Sequence, residues 1–315
     1  MHRKLSIICI LLITILACVS MSGCGGSAGT SEAVASDGST SKGGRETCTS
    51  IYKPKASGDE TYGNDSVTID ASNKANGYIM VKYTGKSGKV KMQLSAPDGE
   101  TVFTYTIKDN NYQTFPISAG DGKYKVDVLE NTSGDMYALL YSTDLDVKLK
   151  DEYKPFLYPN QYVWYTADSD AIDLAIKVSD KSKDDLDYVG QVYNYVITHI
   201  KYDTDKASNV SKGYVPDIDD TLASGKGICF DYASLMTAML RCQQVPTKLV
   251  VGYSGQAYHA WISVYLDEQG WVDDIIEFDG KEWSLMDPTL ASSNDKKDVK
   301  KYVGDGSNYT VKYFY

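Results

Sequence analysis

The stretch from Phe230 to Gln243 constrains this chain more than any other, because it is apolar almost all the way round a helix. Phe230, Ala233, Leu235, Met236, Ala238, Met239, Leu240 and Cys242 cover most of its circumference. A helix apolar on one stripe lies on a surface, whereas one apolar all round belongs at the centre of a domain. Cys242 is then a core residue, and Pro246 ends the helix. Strand-like runs follow at 248–253, 260–266, 271–276 and 283–286. A central helix packed on an antiparallel sheet is an α+β arrangement. Upstream, 170–179 predicts a short helix and 184–200 a longer one. Its Leu186, Val189, Tyr193, Val196, Ile197 and Ile200 recur at three- and four-residue steps. Pro155 and Pro159 mark the connector before it, so 155–315 reads as one domain.

Residues 60–150 have a different rhythm, the two-residue alternation of half-buried strands. Strands are expected near 67–70, 77–83, 90–95, 102–107, 112–117, 123–129 and 137–141. Turn residues separate them, among them Pro97-Asp98-Gly99, Asp109-Asn110-Asn111 and Gly120-Asp121-Gly122. Short strands at this spacing predict a small all-β sandwich. It contains no histidine or cysteine, so its expected role is that of a spacer or docking module. A tyrosine-rich surface for peptide or glycan is the other reading, although strand tyrosines ordinarily pack.

The N-terminus reads as an export signal. His2-Arg3-Lys4 is basic, and an apolar run to Val19 is too short to span a bilayer. Met21-Ser22-Gly23-Cys24 resembles the bacterial lipobox, so 1–23 is expected to be a lipoprotein signal peptide and Cys24 to carry lipid. An ordinary cleaved signal with Cys24 incidental is the alternative. Residues 24–59, rich in serine and glycine, are expected to form a flexible tether to the extracytoplasmic face of the cell membrane. The formal net charge is −10; loss of Arg3 and Lys4 leaves 30 basic against 42 acidic residues, near −12. An acidic surface argues against nucleic acid as a partner. The expected partners are a protein or peptide substrate and, through the lipid, the membrane.

Cys9 and Cys18 fall in the signal, which leaves Cys48, Cys229 and Cys242 beside Cys24, without metal-finger or disulfide spacing. The histidines are His2, His199 and His259. His199 sits beside an apolar stripe near a helix C-terminus, where a satisfied or dipole-favoured histidine is expected. Cys229 follows Gly225 and Gly227 and opens the central helix, whose unpaired amides and positive dipole end favour a thiolate. Its own N–H is suited to an oxyanion. His259 opens a strand with Trp261 on the same face, and Asp287, before Pro288, is placed to orient the imidazole. Nucleophile, base and orienter on separate elements suit covalent acyl transfer. A zinc site from Cys229, His259 and Asp287 is conceivable by ligand type, but a helix-terminal thiol paired with an Asp-backed histidine favours the nucleophile and no metal is expected. Pro216-Asp217-Ile218-Asp219-Asp220 lacks the glycine turn and terminal glutamate of an EF-hand. That segment is expected to be a solvated loop leading to a Thr221 cap.

From Tyr202 to Leu290 the chain resembles the transglutaminase-like superfamily, the papain-related Cys-His-Asp group. The resemblance rests on Gly225-Lys-Gly-Ile-Cys229-Phe-Asp-Tyr-Ala233, Val245-Pro246 to Gly252-Tyr253, His259-Ala-Trp261 and Trp283-Ser-Leu-Met-Asp287-Pro-Thr289. It implies a papain-like α+β core, with Cys229 as nucleophile, His259 as general base and acid, Asp287 as orienter, and no cofactor. Phe230 departs from the animal cross-linking enzymes, which carry tryptophan directly after the nucleophile. The resemblance does not settle the reaction; with water as the default acceptor and no amine pocket legible, the expected activity is that of a lipid-anchored peptidase or amidase working through a thioester. The alternatives are a cross-linking transglutaminase and a non-catalytic surface protein that keeps the fold.

Overall fold

A computed structural model of the chain describes residues 44–108, 110–267, 269–272, 276–278, 283–285 and 309–315, with 276–278 and 283–285 described by backbone alone. The expected signal peptide lies outside the described residues. Eight strands open the fold: β1 (Thr61–Gly63), β2 (Val67–Asp70), β3 (Tyr78–Tyr83), β4 (Val90–Ser95), β5 (Val102–Ile107), β6 (Gln113–Pro116), β7 (Gly122–Ser133) and β8 (Met136–Val147). They make two four-stranded antiparallel sheets, ordered β1-β2-β3-β6 and β5-β4-β7-β8. Alternation does the work expected of it. Val67, Ile69, Ile79 and Val81 from one sheet and Met92, Leu94, Tyr124 and Val126 from the other enter a single buried core.

The helical half follows as α1 (Asp170–Ser179), α2 (Asp185–His199), β9 (Lys201–Tyr202), α3 (Thr204–Asn209), α4 (Ile218–Ser224), β10 (Lys226–Gly227) and α5 (Cys229–Cys242). Then come β11 (Thr247–Ser254), β12 (Ala257–Leu266), β13 (Gly270–Val272), β14 (Ile276–Phe278), β15 (Trp283–Leu285) and β16 (Tyr309–Phe314). Four of these form an antiparallel sheet in the order β13-β12-β11-β16. Every residue of α5 from Asp231 to Cys242 is buried, and the helix packs on α1, α2, α4, β11 and β12. The fold is therefore α+β around a central helix, behind an all-β region. Among the described residues no helix is long and apolar enough to cross a membrane.

Two short helices stand where none was expected. α3 is capped by Asp203, whose carboxylate accepts from Lys206 N–H at 2.8 Å, and it buries no residue. α4 corrects the reading of Thr221 as a cap. Asp217 is the cap, accepting from the N–H groups of Asp219 at 3.1 Å and Asp220 at 3.0 Å, while Thr221 lies inside the helix. α3 has no apolar stripe, while α4 turns Ile218 and Leu222 to the core; each begins on a local side-chain bond that periodicity does not report.

Residues 45–58, within the stretch expected to be a flexible tether, are held in place. Arg45 donates to Asp185 Oδ1 at 2.7 Å, Ser179 Oγ at 2.6 Å and the Gln243 carbonyl at 2.7 Å, and lies over the Tyr188 ring. Gln243 exchanges two hydrogen bonds with the Cys48 backbone, and Gly58 N–H donates to Asp70 Oδ2 at 2.7 Å. Composition misses this because the hold comes from single side chains far along the sequence, Gln243 at one end and Asp70, Asn73 and Tyr78 at the other.

The two halves share one compact unit. Gln161 exchanges hydrogen bonds with both backbone groups of Thr106 in β5, and Ser118 Oγ donates to the Phe314 carbonyl at 2.9 Å. Phe103 packs its ring among those of Tyr313, Phe314 and Tyr315.

Candidate active site

Cys229 is the first residue of α5, and the chain is steered there by three devices. Gly225 ends α4 in the left-handed region at φ +62°, where glycine carries no Cβ penalty. β10 then pairs with β9, with Gly227 beside Tyr202. Ile228, in extended conformation, starts α5, and its N–H donates to Asp231 Oδ2 at 2.8 Å. That is the return half of a capping box, with the acidic side chain in the third helical position and no Ser or Thr at the cap. Cys229 itself is half-buried. The N–H groups of Cys229 and Phe230 precede the first helical hydrogen bond, which Asp231 N–H makes to the Ile228 carbonyl at 2.9 Å, so the thiol lies at the positive end of the helix dipole.

His259 sits in β12 directly across the ladder from Gly252 of β11. Two residues on, and therefore on the same face, Trp261 lies nearly parallel to the imidazole, with ring centroids 6.2 Å apart at 21°. Tyr309 of β16 packs 6.3 Å from His259 and edge-on to Trp261 at 5.1 Å. These two rings flank the half-buried imidazole.

Cys229 and His259 open onto one cleft of about 480 Å³. Residues 207 and 210–214 form one wall, Phe230 and Tyr258 flank the thiol, and Tyr162 and Tyr315 also line it. Tyr258 is 60% exposed at the rim and packs edge-on to Tyr253. Tyr162 stacks on Tyr105 of the sandwich at 5.6 Å and meets Phe230 at 5.4 Å. A strand of the all-β region thus stands directly behind the cleft lining. Burial pushes the Tyr162 phenol up to about 12, so it stays a neutral hydroxyl, donating to the Thr104 carbonyl at 3.2 Å.

Of the residues singled out from the sequence, Cys229 and His259 are brought together. Asp287 and Cys24 lie outside the described residues. His199 is elsewhere: exposed at the end of α2, it stacks on Tyr195 at 3.9 Å, with Nδ1 2.9 Å from the Tyr195 carbonyl. Burial pushes the thiols of Cys48 and Cys242 up, and Cys242 donates to the Met239 carbonyl at 3.1 Å. Asp217 caps α4, and Asp219 Oδ1 accepts from Ala171 N–H at 3.0 Å. Sequence reasoning missed Asp231, Lys206 and Tyr214. Asp231 Oδ1 accepts from the Tyr214 hydroxyl at 2.6 Å, and its Oδ2 lies 2.7 Å from Lys206 Nζ. Burial and the bond to Asp231 push the Tyr214 phenol up to about 12. The signal was present in the acidic residue three places after Ile228, but a cap without a hydroxyl hid it.

Residues 172–273 match the family model described as the transglutaminase-like superfamily. Protein YebA of Bacillus subtilis (strain 168), described as uncharacterized, is 28% identical over 145 residues, covering 40% of this chain and 19% of YebA. The chain thus spans less than a fifth of that relative. Among solved structures, a "putative cysteine protease" from Cytophaga hutchinsonii superposes with a TM-score of 0.39 at 16% identity, covering 81% of this chain and 73% of that one. Red sea bream transglutaminase superposes at 0.30 and 13% identity, covering 69% of this chain and 48% of its own.

Proposed function

We propose that this chain is a cysteine-nucleophile hydrolase of amide bonds in proteins or peptides, anchored by lipid at Cys24 to the extracytoplasmic face of the cell membrane. The observation that carries the reading is the opening of Cys229, at the start of a buried helix, and His259, on the adjoining sheet, onto the same cleft. The Cys229 thiolate attacks the amide carbon, and the helix-start N–H groups hold the oxyanion. Collapse breaks the C–N bond, and the imidazolium of His259 delivers its proton to the departing amine, leaving a thioester. His259 then takes a proton from water as the water attacks. The acid leaves, and the thiol is restored. Asp287 is assigned the role of holding the imidazole in the tautomer that faces sulfur.

Water is the default acceptor for such a thioester, so hydrolysis is the first expectation and transfer to an amine the second. Incubating the purified protein with a complex peptide mixture, with and without a tagged amine, separates the outcomes. New peptide ends mean hydrolysis, and tag incorporation means cross-linking. Neither, from a protein whose Cys229 is reduced, refutes the enzyme reading. Cell fractionation tests the anchor, since Cys24→Ala is expected to move the protein from membrane to medium.

A further inference from the structure

Asp231 is fully buried, two residues beyond Cys229. A carboxylate removed from water must have its oxygens occupied. Three donors do so: Ile228 N–H at 2.8 Å, the Tyr214 hydroxyl at 2.6 Å and Lys206 Nζ at 2.7 Å. Only the first is needed to start a helix. The other two come from a single stretch, 203–214, of which Ala207 and residues 210–214 line the cleft. Lys206 also lies 4.6 Å from the centroid of the Tyr214 ring, so the two donors brace one another. Burial works against the Lys206 ammonium. Its bonds to Asp231 and Tyr214, with the charge of Asp231, outweigh that and hold its pKa above an ordinary lysine's.

Beyond these bonds the wall is tied by Asp203 N–H, which donates to the Gly227 carbonyl at 2.9 Å, and by the Tyr214 ring, edge-on to Phe230 at 6.5 Å. α3 buries no residue, and Val210 is 42% exposed. A segment without buried apolar contacts opens readily unless polar bonds fasten it. The local chain is shaped for this fastening: a Cβ at Gly227 would stand 2.7 Å from the Asp231 Cβ, so only glycine lets the carboxylate swing beneath the turn.

We propose that Asp231 is a positioning residue of the site: through Lys206 and Tyr214 it fastens the 203–214 wall to the helical turn that carries Cys229, and so sets the width of the cleft above the sulfur. The assignment rests on Cys229 being the nucleophile. Wall and nucleophile then move as one body, and a substrate main chain threads a slot of fixed width.

The test uses the full-length protein and needs no substrate. Cys229 is alkylated with iodoacetamide and with a bulky maleimide–polyethylene glycol, and tryptic cleavage after Lys212 is timed. Asp231→Asn keeps an amide oxygen for Ile228 N–H but loses the charge that holds Lys206, and Tyr214→Phe deletes one hydroxyl. In both, the bulky-to-small rate ratio and the Lys212 cleavage rate are expected to rise by about threefold to tenfold, the worth of one lost hydrogen bond. Should Asp231→Asn fail to fold, Tyr214→Phe carries the test alone. An unchanged ratio and unchanged cleavage in either folded variant overturns the proposal and leaves Asp231 a helix cap. If Cys229 of the wild type does not react, the nucleophile reading fails, while cleavage after Lys212 still decides whether the wall is fastened.

Discussion

Gly252 faces His259 across the β11–β12 ladder, and no other residue fits at that position. A Cβ there would stand 2.0 Å from the Thr310 carbonyl oxygen of β16 and 2.9 Å from the Trp261 ring. The oxygen is backbone, so relief requires β16 to move, and β16 carries the Tyr309 ring that packs on the imidazole. Gly252→Ala is expected to cost about 1–3 kcal/mol, as overpacking does. It should also slow Cys229 alkylation by displacing the base. Gly190, inside α2, is the contrasting case: nothing lies within 4 Å of a Cβ there. Gly190→Ala is expected to stabilise by about 0.5–1 kcal/mol, the helix-propensity difference. Urea melts of both variants check the pair, and equal shifts of the same sign would contradict this account.

Among the described cysteines, iodoacetamide is expected to modify Cys229 first. Cys242 is buried and its thiol is pushed well up, and burial likewise raises that of Cys48. Thiolate is the reacting species, so both should label slowly near neutral pH. Peptide mapping after a short pulse reads the order. Cys229→Ser should remove the fast phase without changing the melting temperature by more than a few degrees. Labelling of Cys48 or Cys242 ahead of Cys229 would remove the basis for a nucleophile at the helix start.

How much of this was readable from residues alone depends on how local each cause is. β4 and β5 fall where alternation put them, because in each a buried residue alternates with a less buried one over its length. β7 and β8 run further than their apolar cores, to Ser133 and from Met136, because their polar ends pair across the hairpin while exposed. α5 was legible from a surface apolar almost all the way round, and Cys229 and His259 from scarcity of residue type. The hold on residues 45–58 was not, nor was the wall beneath Asp231. Those depend on Arg45 meeting Ser179 and Gln243, and Lys206 meeting Asp231, pairs far apart in sequence that no periodicity reports.

Stability should fall as pH rises above about 10. The Tyr162 and Tyr214 phenols are pushed up to about 12, chiefly by burial, against an ordinary value of 10.0. Between those values the folded protein keeps protons that the unfolded chain has lost, so unfolding releases them and ΔG declines by about 1.4 kcal/mol per pH unit for each proton fully released. Below about pH 10 this contribution is fully present. Denaturation midpoints measured on either side of that pH should show the decline. Tyrosinate absorbance should show native phenols ionising late. A midpoint that holds level through the same range would mean these phenols titrate normally.

The sandwich is expected to act on the cleft through the Tyr105 ring and not through its hydroxyl. That hydroxyl is buried with no hydrogen-bond partner among the described residues, while the ring stacks on Tyr162 and meets Tyr315 edge-on at 5.7 Å. An unsatisfied buried hydroxyl costs about 1–3 kcal/mol, so Tyr105→Phe, which keeps the ring, should raise the melting temperature. Tyr105→Leu keeps much of the apolar volume but removes the flat face against Tyr162, and aromatic pairs contribute about 0.5–1.5 kcal/mol beyond burial. It should lower stability. Because Tyr162 in turn packs on Phe230, next to the nucleophile, it should also change the rate at which Cys229 reacts with a bulky maleimide. A sandwich that serves only as a spacer makes a different forecast: both variants would alter melting, and neither would touch Cys229. Thermal melts paired with alkylation rates of the two variants decide between them, and an unaltered Cys229 in a folded Tyr105→Leu protein would return the sandwich to the role of spacer.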